Sequence, residues 1–304
     1  MTQALFMALA LMSTFQVAEI EPQHASNPII SGLMAPGFDF QGVKVPLPKP
    51  TLQDSMNAQE QRAALVEALG PEVPIEEFLR DSVMAPVMVK VRNVPYGEGA
   101  IRLVDLSFVV YGKLDEIDLG RAKQGAAAGG GGQGGSMAFE ARTIGVQTLQ
   151  ANGIKPAGDQ DLYSHLAFSV MEKIGVETSC RSFTSISPKS LIVALQSVPE
   201  FQADAKLANR WWPMEKQGDN LVPGESQNYP GLAGYAKVSQ LDFQPGALLI
   251  EAHLAFAEPE KWFNGGAALR SKLGLIAQLQ VRALRREISK QRKAERPEAE
   301  KGTE

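Results

Sequence analysis

The sequence predicts an α+β protein in which one long C-terminal helix packs on a mainly antiparallel sheet. Apolar and polar residues alternate along several segments between residues 87 and 256, a period typical of half-buried strands. Short, turn-rich connections join two pairs of these segments, which indicates β-hairpins. The last periodic segment repeats its apolar residues at helical spacing instead.

Two helices are predicted ahead of the strands. The first covers residues 54–69, where apolar residues recur at helical spacing, Asp54 or Ser55 can cap the start, and Gly70 followed by Pro71 ends it. A short second helix follows at Ile75–Leu79.

We expect about eight strands from the alternating pattern. The first hairpin joins the strand around Val87–Val91 to Ile101–Tyr111, and the second joins Tyr235–Phe243 to Ala247–Phe256 across Gln244-Pro245-Gly246. The remaining strands are Phe139–Val146, Leu162–Ile174, Glu177–Ser185 and Ser190–Val198. The last of these is almost continuously apolar, so we place it centrally.

The C-terminal helix has the strongest periodic pattern in the chain. Asn264 can cap its start, and its apolar face carries Leu269, Leu273, Ile276, Leu284 and Ile288. Basic residues crowd its C-terminal half, where they suit the negative end of the helix dipole.

The sequence leaves the curvature of the sheet open. A flat sheet would pack directly on the helix. A strongly curved sheet, favoured by Gly145 and Gly175 within predicted strands, would leave an apolar cavity between sheet and helix. The ligand-binding residues would then be Ile250, Leu254, Phe256, Leu273 and Ile276.

The chain divides into four predicted regions, which are a signal peptide at 1–18, a Pro-rich linker or arm at 19–50, a single α+β domain at 51–290 and a disordered charged tail at 291–304. The domain contains a Gly-rich loop at 120–136 and a long excursion without clear period at 199–232. The loop matches G-x-G-x-x-G, but strands are predicted on both sides of it, whereas a dinucleotide site needs a strand and then a helix.

The first residues predict export to the periplasm or the extracellular space. The apolar run at 4–12 is shorter than the ~20 residues that span a bilayer and fits a secretory signal, with Val17-Ala18 at the cleavage point. No Lys or Arg precedes the run, so a cytoplasmic protein is the alternative if the run is retained.

Composition excludes several functions. A net charge of −4 argues against nucleic acid as a partner, since phosphate binding needs a basic surface. The single Cys180 allows no intramolecular disulfide and no cysteine zinc site, and the three histidines lie far apart in sequence. We therefore expect no metal and no cofactor, and no transmembrane segment is predicted.

Two clusters have candidate chemistry. Glu251 and His253 lie two apart on one strand and so share a face, which suits an acid/base pair or metal ligands but is more often a hydrogen-bonded pair on the polar side. Arg210 beside Trp211 and Trp212 suits a cation–π ligand site, although such a cluster more often anchors a loop.

The chain resembles an uncharacterised family of exported proteins from planctomycete-type bacteria at residues 106–115, 209–211, 258–263, 269–273 and 281–282. The resemblance covers most of residues 85–290 and implies no activity. The final hairpin, then Glu258-Pro259, Trp262 and a long amphipathic helix, is similar to the end of START-like helix-grip domains. That similarity implies a curved sheet around the helix and an apolar ligand.

The function that these observations favour is a non-catalytic binding or structural module of the cell envelope, with an apolar ligand between sheet and helix as its sharper form. An enzyme of unknown reaction that uses His253 or His165 is the first alternative. An assembly partner that docks another envelope protein through its termini is the second.

Overall fold

The computed structural model describes His24 and residues 27–115, 139–170, 173–218, 220–262 and 267–300. It confirms the α+β class. The helices are α1 Pro28–Met34, α2 Ala58–Leu69, α3 Ile75–Phe78, α4 Val146–Ala151 and α5 Ala267–Glu300. The Gly-rich loop, the signal segment and the predicted cap Asn264 lie outside the described residues. No helix within the described ranges is long and apolar enough to cross a membrane.

Eleven strands form one open, uncurled sheet, and every pairing in it is antiparallel. Numbered after two short strands of the N-terminal segment, they are β3 Met88–Tyr96, β4 Gly99–Tyr111, β5 Phe139–Thr143, β6 Asp161–Val170, β7 Ile174–Ile186, β8 Ser190–Ser197, β9 Arg210–Gln217, β10 Asn220–Pro223, β11 Gln227–Asn228, β12 Leu232–Gln240 and β13 Ala247–Glu258. Eight of them form the body of the sheet in the order β5-β6-β7-β8-β12-β13-β4-β3. The other three lie in the predicted excursion at 199–232, where β9 pairs with the start of β7 and is flanked by β10 and β11.

One face of the sheet is apolar and carries α5. Along β4 and β13 the even-numbered residues lie opposite each other on this face, among them Phe108 and Ile250. The helix contacts β4 and β3. Its buried stripe consists of Leu273, Ala277, Val281, Leu284 and Ile288.

The N-terminal elements cover the opposite face. α1 contacts β7, β8 and β12, and it buries Ile29, Ile30 and Leu33. A small sheet of β1 (Phe38–Phe40) and β2 (Val43–Val45) follows. α2 and α3 pack on Val109 and Leu249 of the main sheet. The described part of the predicted linker is therefore folded onto the sheet, because its prolines separate short apolar segments that bury well.

The structure corrects other local predictions. Asn57, and neither Asp54 nor Ser55, caps α2, and it forms a capping box with Glu60. The predicted strand at residues 139–146 ends at Thr143, and Gly145 is the N-cap of α4 instead of a bend within a strand. The excursion at 199–232 holds β9 to β11, which sequence periodicity missed because two of these strands have four residues or fewer.

Candidate functional site

The face under the N-terminal segment carries a row of buried polar side chains on adjacent strands. Tyr235 and Lys237 of β12 lie opposite His253 and Glu251 of β13. On the other side of β13, His253 lies opposite Asp105 and Glu251 lies opposite Ser107. Strand alternation places all of them on one face. The pairing of β13 with both β12 and β4 therefore assembles a polar cluster that no single segment of the sequence contains.

Asp105 orients the imidazole of His253. His253 Nδ1 is 2.7 Å from Asp105 Oδ1, and Arg92 donates to the other carboxylate oxygen at 3.1 Å. Burial alone would raise the pKa of Asp105, but the hydrogen bond of His253 and the charge and hydrogen bond of Arg92 outweigh it and hold that pKa below its usual value. An ionised Asp105 takes the Nδ1 proton as its hydrogen bond, so Nε2 is the acceptor nitrogen of the neutral ring.

Two acceptor atoms beside this pair have no protein partner. Glu251 is 1% exposed, and its Oε1 accepts the Thr51 backbone N–H at 3.0 Å. Glu251 Oε2 and His253 Nε2, here called the orphan acceptors, are buried without a hydrogen-bond partner among the described residues. Buried polar atoms in native proteins nearly always have a partner, so these two atoms need an explanation.

The orphan acceptors belong to side chains that line a cavity of ≈ 180 Å³, the His253 cavity. The polar part of its lining comprises Thr51, Asp105, Ser107, Glu251 and His253, together with the exposed Lys49 and Lys90. Its apolar side consists of Leu65, Ala68, Leu69, Met88 and Leu249. An engineered apolar cavity of about 150 Å³ binds benzene, so the His253 cavity has the volume for a molecule with one small ring.

A second cluster fastens the N-terminal segment to the same face. Lys237 is 3% exposed, and its ammonium donates to Asp54 at 2.8 Å and to the Leu52 carbonyl at 3.0 Å. The Ser190 hydroxyl donates to Asp54 at 2.7 Å and lies 2.7 Å from His24 Nε2. This cluster borders a cleft of ≈ 520 Å³, which is within the usual range of about 300–1,000 Å³ for ligand sites. The polar atoms of this cluster hydrogen-bond one another, so the cluster attaches the N-terminal segment to the sheet.

A groove of ≈ 730 Å³ lies between the β1–β2 sheet and the start of the predicted excursion at 199–232. Arg181 lines it and donates to Asp161 through two nitrogens, at 2.7 and 3.0 Å. The carboxylate neutralises the guanidinium, so Arg181 is not available to a ligand as an unpaired cation.

Most of the ligand residues predicted from sequence lie in one hydrophobic core cluster, which includes Ile250, Leu254, Phe256, Leu273 and Trp211. Ile276 is only half-buried, because Ala277 takes the position that faces the sheet.

Arg210 and Trp211 lie on β9, where Trp211 is buried with its ring 6.1 Å edge-on from Trp262 and Arg210 donates to the Ala205 carbonyl. These contacts match the anchoring role that the sequence left open for the cluster.

Of the two candidate histidines, His253 is the one that lines the cavity and is oriented by a carboxylate. His165 is buried with its Nδ1 3.0 Å from the Ser179 hydroxyl and its Nε2 3.9 Å from Glu177. Sequence reasoning found the Glu251 and His253 pair through their spacing but missed Asp105, Lys237 and Asp54. Only strand order and register join these residues to it. Across the described ranges, no group of three or more His, Cys, Asp or Glu side chains is arranged to hold a metal ion.

The fold and the site define an α+β protein whose N-terminal segment covers a polar sheet face, and the His253 cavity lies on this face. No family model matches the chain, and no curated protein matches its sequence. Among solved structures, the crystal structure of human STARD10 is similar over 82% of this chain and 89% of that one, with a TM-score of 0.35 and 9% identity. A likeness at that level carries no argument about ligand or activity.

Proposed function

We propose that this protein binds a small molecule in the His253 cavity and holds it without transforming it. The observation that carries the proposal is the His253 cavity, whose lining combines an apolar wall with Glu251 and His253, the two side chains that carry the orphan acceptors. Leaving a buried polar group unpaired costs about 1–3 kcal/mol. A ligand that offers donors as these side chains turn toward it would recover that cost, and the apolar wall would take its body.

Enzymatic use of the same cavity is the second candidate, and the bond between Asp105 and His253 favours it. A carboxylate on Nδ1 fixes the tautomer and leaves Nε2 to accept a proton, which is how a general base is held. An activity screen of wild type beside His253→Asn tests it, because asparagine can replace the Nδ1 donor while removing Nε2. Turnover that survives the substitution would remove this candidate.

Two finer proposals follow from the sequence. The first is that the protein works in the cell envelope after its N-terminal run is removed, and N-terminal sequencing of protein from its source tests this. A protein that still begins at Met1 contradicts it.

The second proposal places an apolar ligand on the opposite face of the sheet, at Ile250, Leu254, Phe256, Leu273 and Ile276, with Arg210 and Trp211 as further contacts. Saturable binding of a fluorescent fatty acid that Ile250→Trp weakens would support it.

The main proposal is tested with a set of one-ring fragments that includes neutral, cationic and anionic members. We expect at least one fragment to bind saturably and to shift NMR signals of His253 and Leu249. Ala68 is exposed at the rim, so Ala68→Trp should obstruct the cavity and abolish binding. Val66→Trp is the matched control, because Val66 is exposed on the same helix outside the cavity lining. No binding by any fragment, or equal binding by both variants, would overturn the proposal.

A further inference from the structure

The side of α5 that points away from the sheet combines exposed leucines with basic residues. Helical residues advance by about 100° each, so the centre of this side lies opposite the buried stripe that begins at Leu273. Leu275 and Leu279 fall within about 40° of that centre, and they are 57% and 52% exposed. The basic residues in the same arc are Lys272, Arg282, Arg286 and Lys290. These leucines and basic residues are here called the outer face of α5.

The charge of the outer face is positive and largely uncompensated. It contains no acidic residue, although the whole chain has a net charge of −4. The nearby carboxylates are already paired, because Glu287 lies 3.5 Å from Lys290 and Asp81 lies 3.2 Å from Arg292. The other basic residues of the outer face form no ion pair among the residues that the structure describes. The outer face therefore suits an anionic partner.

Leu275 and Leu279 give the outer face an apolar patch. They lie one helical turn apart, so their side chains are neighbours. A single exposed apolar residue is ordinary on a protein surface, but two adjacent leucines flanked by Lys and Arg are typical of helices that lie in a membrane interface. In such an interface the leucines enter the boundary between headgroups and acyl chains, and the long basic side chains reach back to the phosphates.

Other occupants fit the outer face less well. A second copy of this chain would set basic residues against basic residues. A helix that packs on a protein needs three to four apolar residues in about two turns, whereas the outer face has two leucines in about five turns.

From its charge and its paired leucines we infer that the outer face of α5 docks the protein on an anionic lipid surface, with Leu275 and Leu279 inserted. Packing on β4 and β3 already holds the helix in place, so docking requires no folding of the helix. The inference does not depend on the His253 cavity, which lies on the opposite face of the sheet.

Sedimentation of the full chain with lipid vesicles tests the role of charge. We expect binding to vesicles of equal parts phosphatidylcholine and phosphatidylglycerol, and at least about tenfold weaker binding to pure phosphatidylcholine, because each basic residue near an anionic surface contributes about fivefold. Lys272→Gln with Arg286→Gln removes two exposed charges and should weaken binding to the anionic vesicles by at least about tenfold. Lys44→Gln with Arg62→Gln is the matched control and should bind like wild type, because these exposed residues belong to elements that cover the opposite face.

A fluorescent label tests the insertion of the leucines. A label on Leu279→Cys should shift its emission to shorter wavelength on the anionic vesicles, whereas a label on Val66→Cys of α2 should not. Cys180 is 1% exposed, so it should not react with the label.

Several results would overturn the inference. They are wild type that stays free of the anionic vesicles, equal binding to both kinds of vesicle, unchanged binding by Lys272→Gln with Arg286→Gln, and an unshifted label on Leu279→Cys. If the protein ignores vesicles and that label responds instead to an acidic amphipathic peptide or to rising protein concentration, the outer face is a protein interface and the lipid inference is wrong.

Discussion

Lys237 and Glu251 lie directly opposite each other in β12 and β13, yet the Lys237 ammonium donates to Asp54 and to the Leu52 carbonyl. Asp54 and Leu52 belong to the segment that crosses the polar face, so this lysine fastens that segment to the sheet. Glu251 accepts the Thr51 backbone N–H of the same segment instead, and its side chain lines the His253 cavity. One side chain thus connects the closure of the polar face with the composition of the candidate site.

The first prediction concerns the pH dependence of the Asp54 fastening. Burial alone would raise the pKa of Asp54, but hydrogen bonds from Lys237, Ser187 and Ser190 lower it from 3.8 to about 2. Because the folded pKa is the lower one, the stabilisation is complete above pH 3.8 and is lost as the pH falls through about 2. The carboxylate is 31% exposed, so we expect only about 1–2 kcal/mol from its charge after solvent screening.

Urea unfolding of Asp54→Asn from pH 6 to pH 2 measures this contribution. The stability difference from wild type should be largest above pH 4 and should shrink toward pH 2. Asp242→Asn is the control, because Asp242 pairs with Lys189 in a more exposed bridge. A difference that stays constant over the whole range would show that the Asp54 charge does not contribute.

The second prediction concerns His24, whose ring nitrogens lie 2.8 Å from the Ser185 hydroxyl and 2.7 Å from the Ser190 hydroxyl. Burial, with a smaller effect of Lys237, outweighs the attraction of Asp54 and lowers the pKa of His24 below 6.5. The unfolded chain therefore takes up a proton first, and stability falls as the pH drops below 6.5.

The loss should begin near pH 6.5 and continue down to the lowered pKa. His24→Gln should reduce the loss between pH 7 and pH 5, as read from urea midpoints. Burial lowers the pKa of His165 too, so part of the wild-type loss should persist in the variant. Identical pH profiles for the two proteins would contradict the prediction.

The third prediction concerns Arg285, a basic residue that faces inward. It is 5% exposed and donates to the carbonyls of Val109 at 2.9 Å and Ala85 at 2.6 Å. Its guanidinium lies 5.8 Å from the centre of the Phe108 ring, and burial lowers its pKa to about 10. Arg285→Leu leaves these carbonyls unpaired, so we expect a loss of about 2–5 kcal/mol in unfolding free energy. Arg286→Leu changes an exposed neighbour and should cost less than about 0.5 kcal/mol. Similar losses in chemical denaturation would contradict the inward role of Arg285.

The sequence predicted elements whose signals are local. The hairpin of β12 and β13 was predicted because Pro245-Gly246 marks its turn and both flanks are apolar. The site was predicted only as far as Glu251 and His253, which share a strand. Asp105 is separated from His253 by 148 positions, and its contact depends on β13 lying beside β4 in one particular register.

Other features were missed because their residues also fit a local role. Asp54 stands where a helix cap is expected, yet Asn57 caps α2 and Asp54 bonds Lys237. Gly175 was interpreted as a place for the strand to bend. Instead, a Cβ there would lie 2.2 Å from the Trp212 ring, so the glycine allows that ring to cross the strand. Composition and spacing do not distinguish such tertiary roles from local ones.

The last prediction tests which side of α5 faces the sheet. Helical residues advance by about 100° each, so Leu273, Ala277, Val281, Leu284 and Ile288 fall within one stripe about 80° wide. Ile276 lies about 100° from its centre, in agreement with its half-buried state. Leu273 is 4% exposed, and its truncation to alanine should cost about 2–5 kcal/mol because a cavity remains in the core. Ile276→Ala should cost less than half as much, since solvent can fill part of the space. Leu279→Ala is the control, because that side chain is 52% exposed and should cost less than about 0.5 kcal/mol. Urea unfolding of the three variants gives the order directly. A larger loss for Ile276→Ala than for Leu273→Ala would mean that the helix is rotated about its axis, with Ile276 and not Ala277 toward β4.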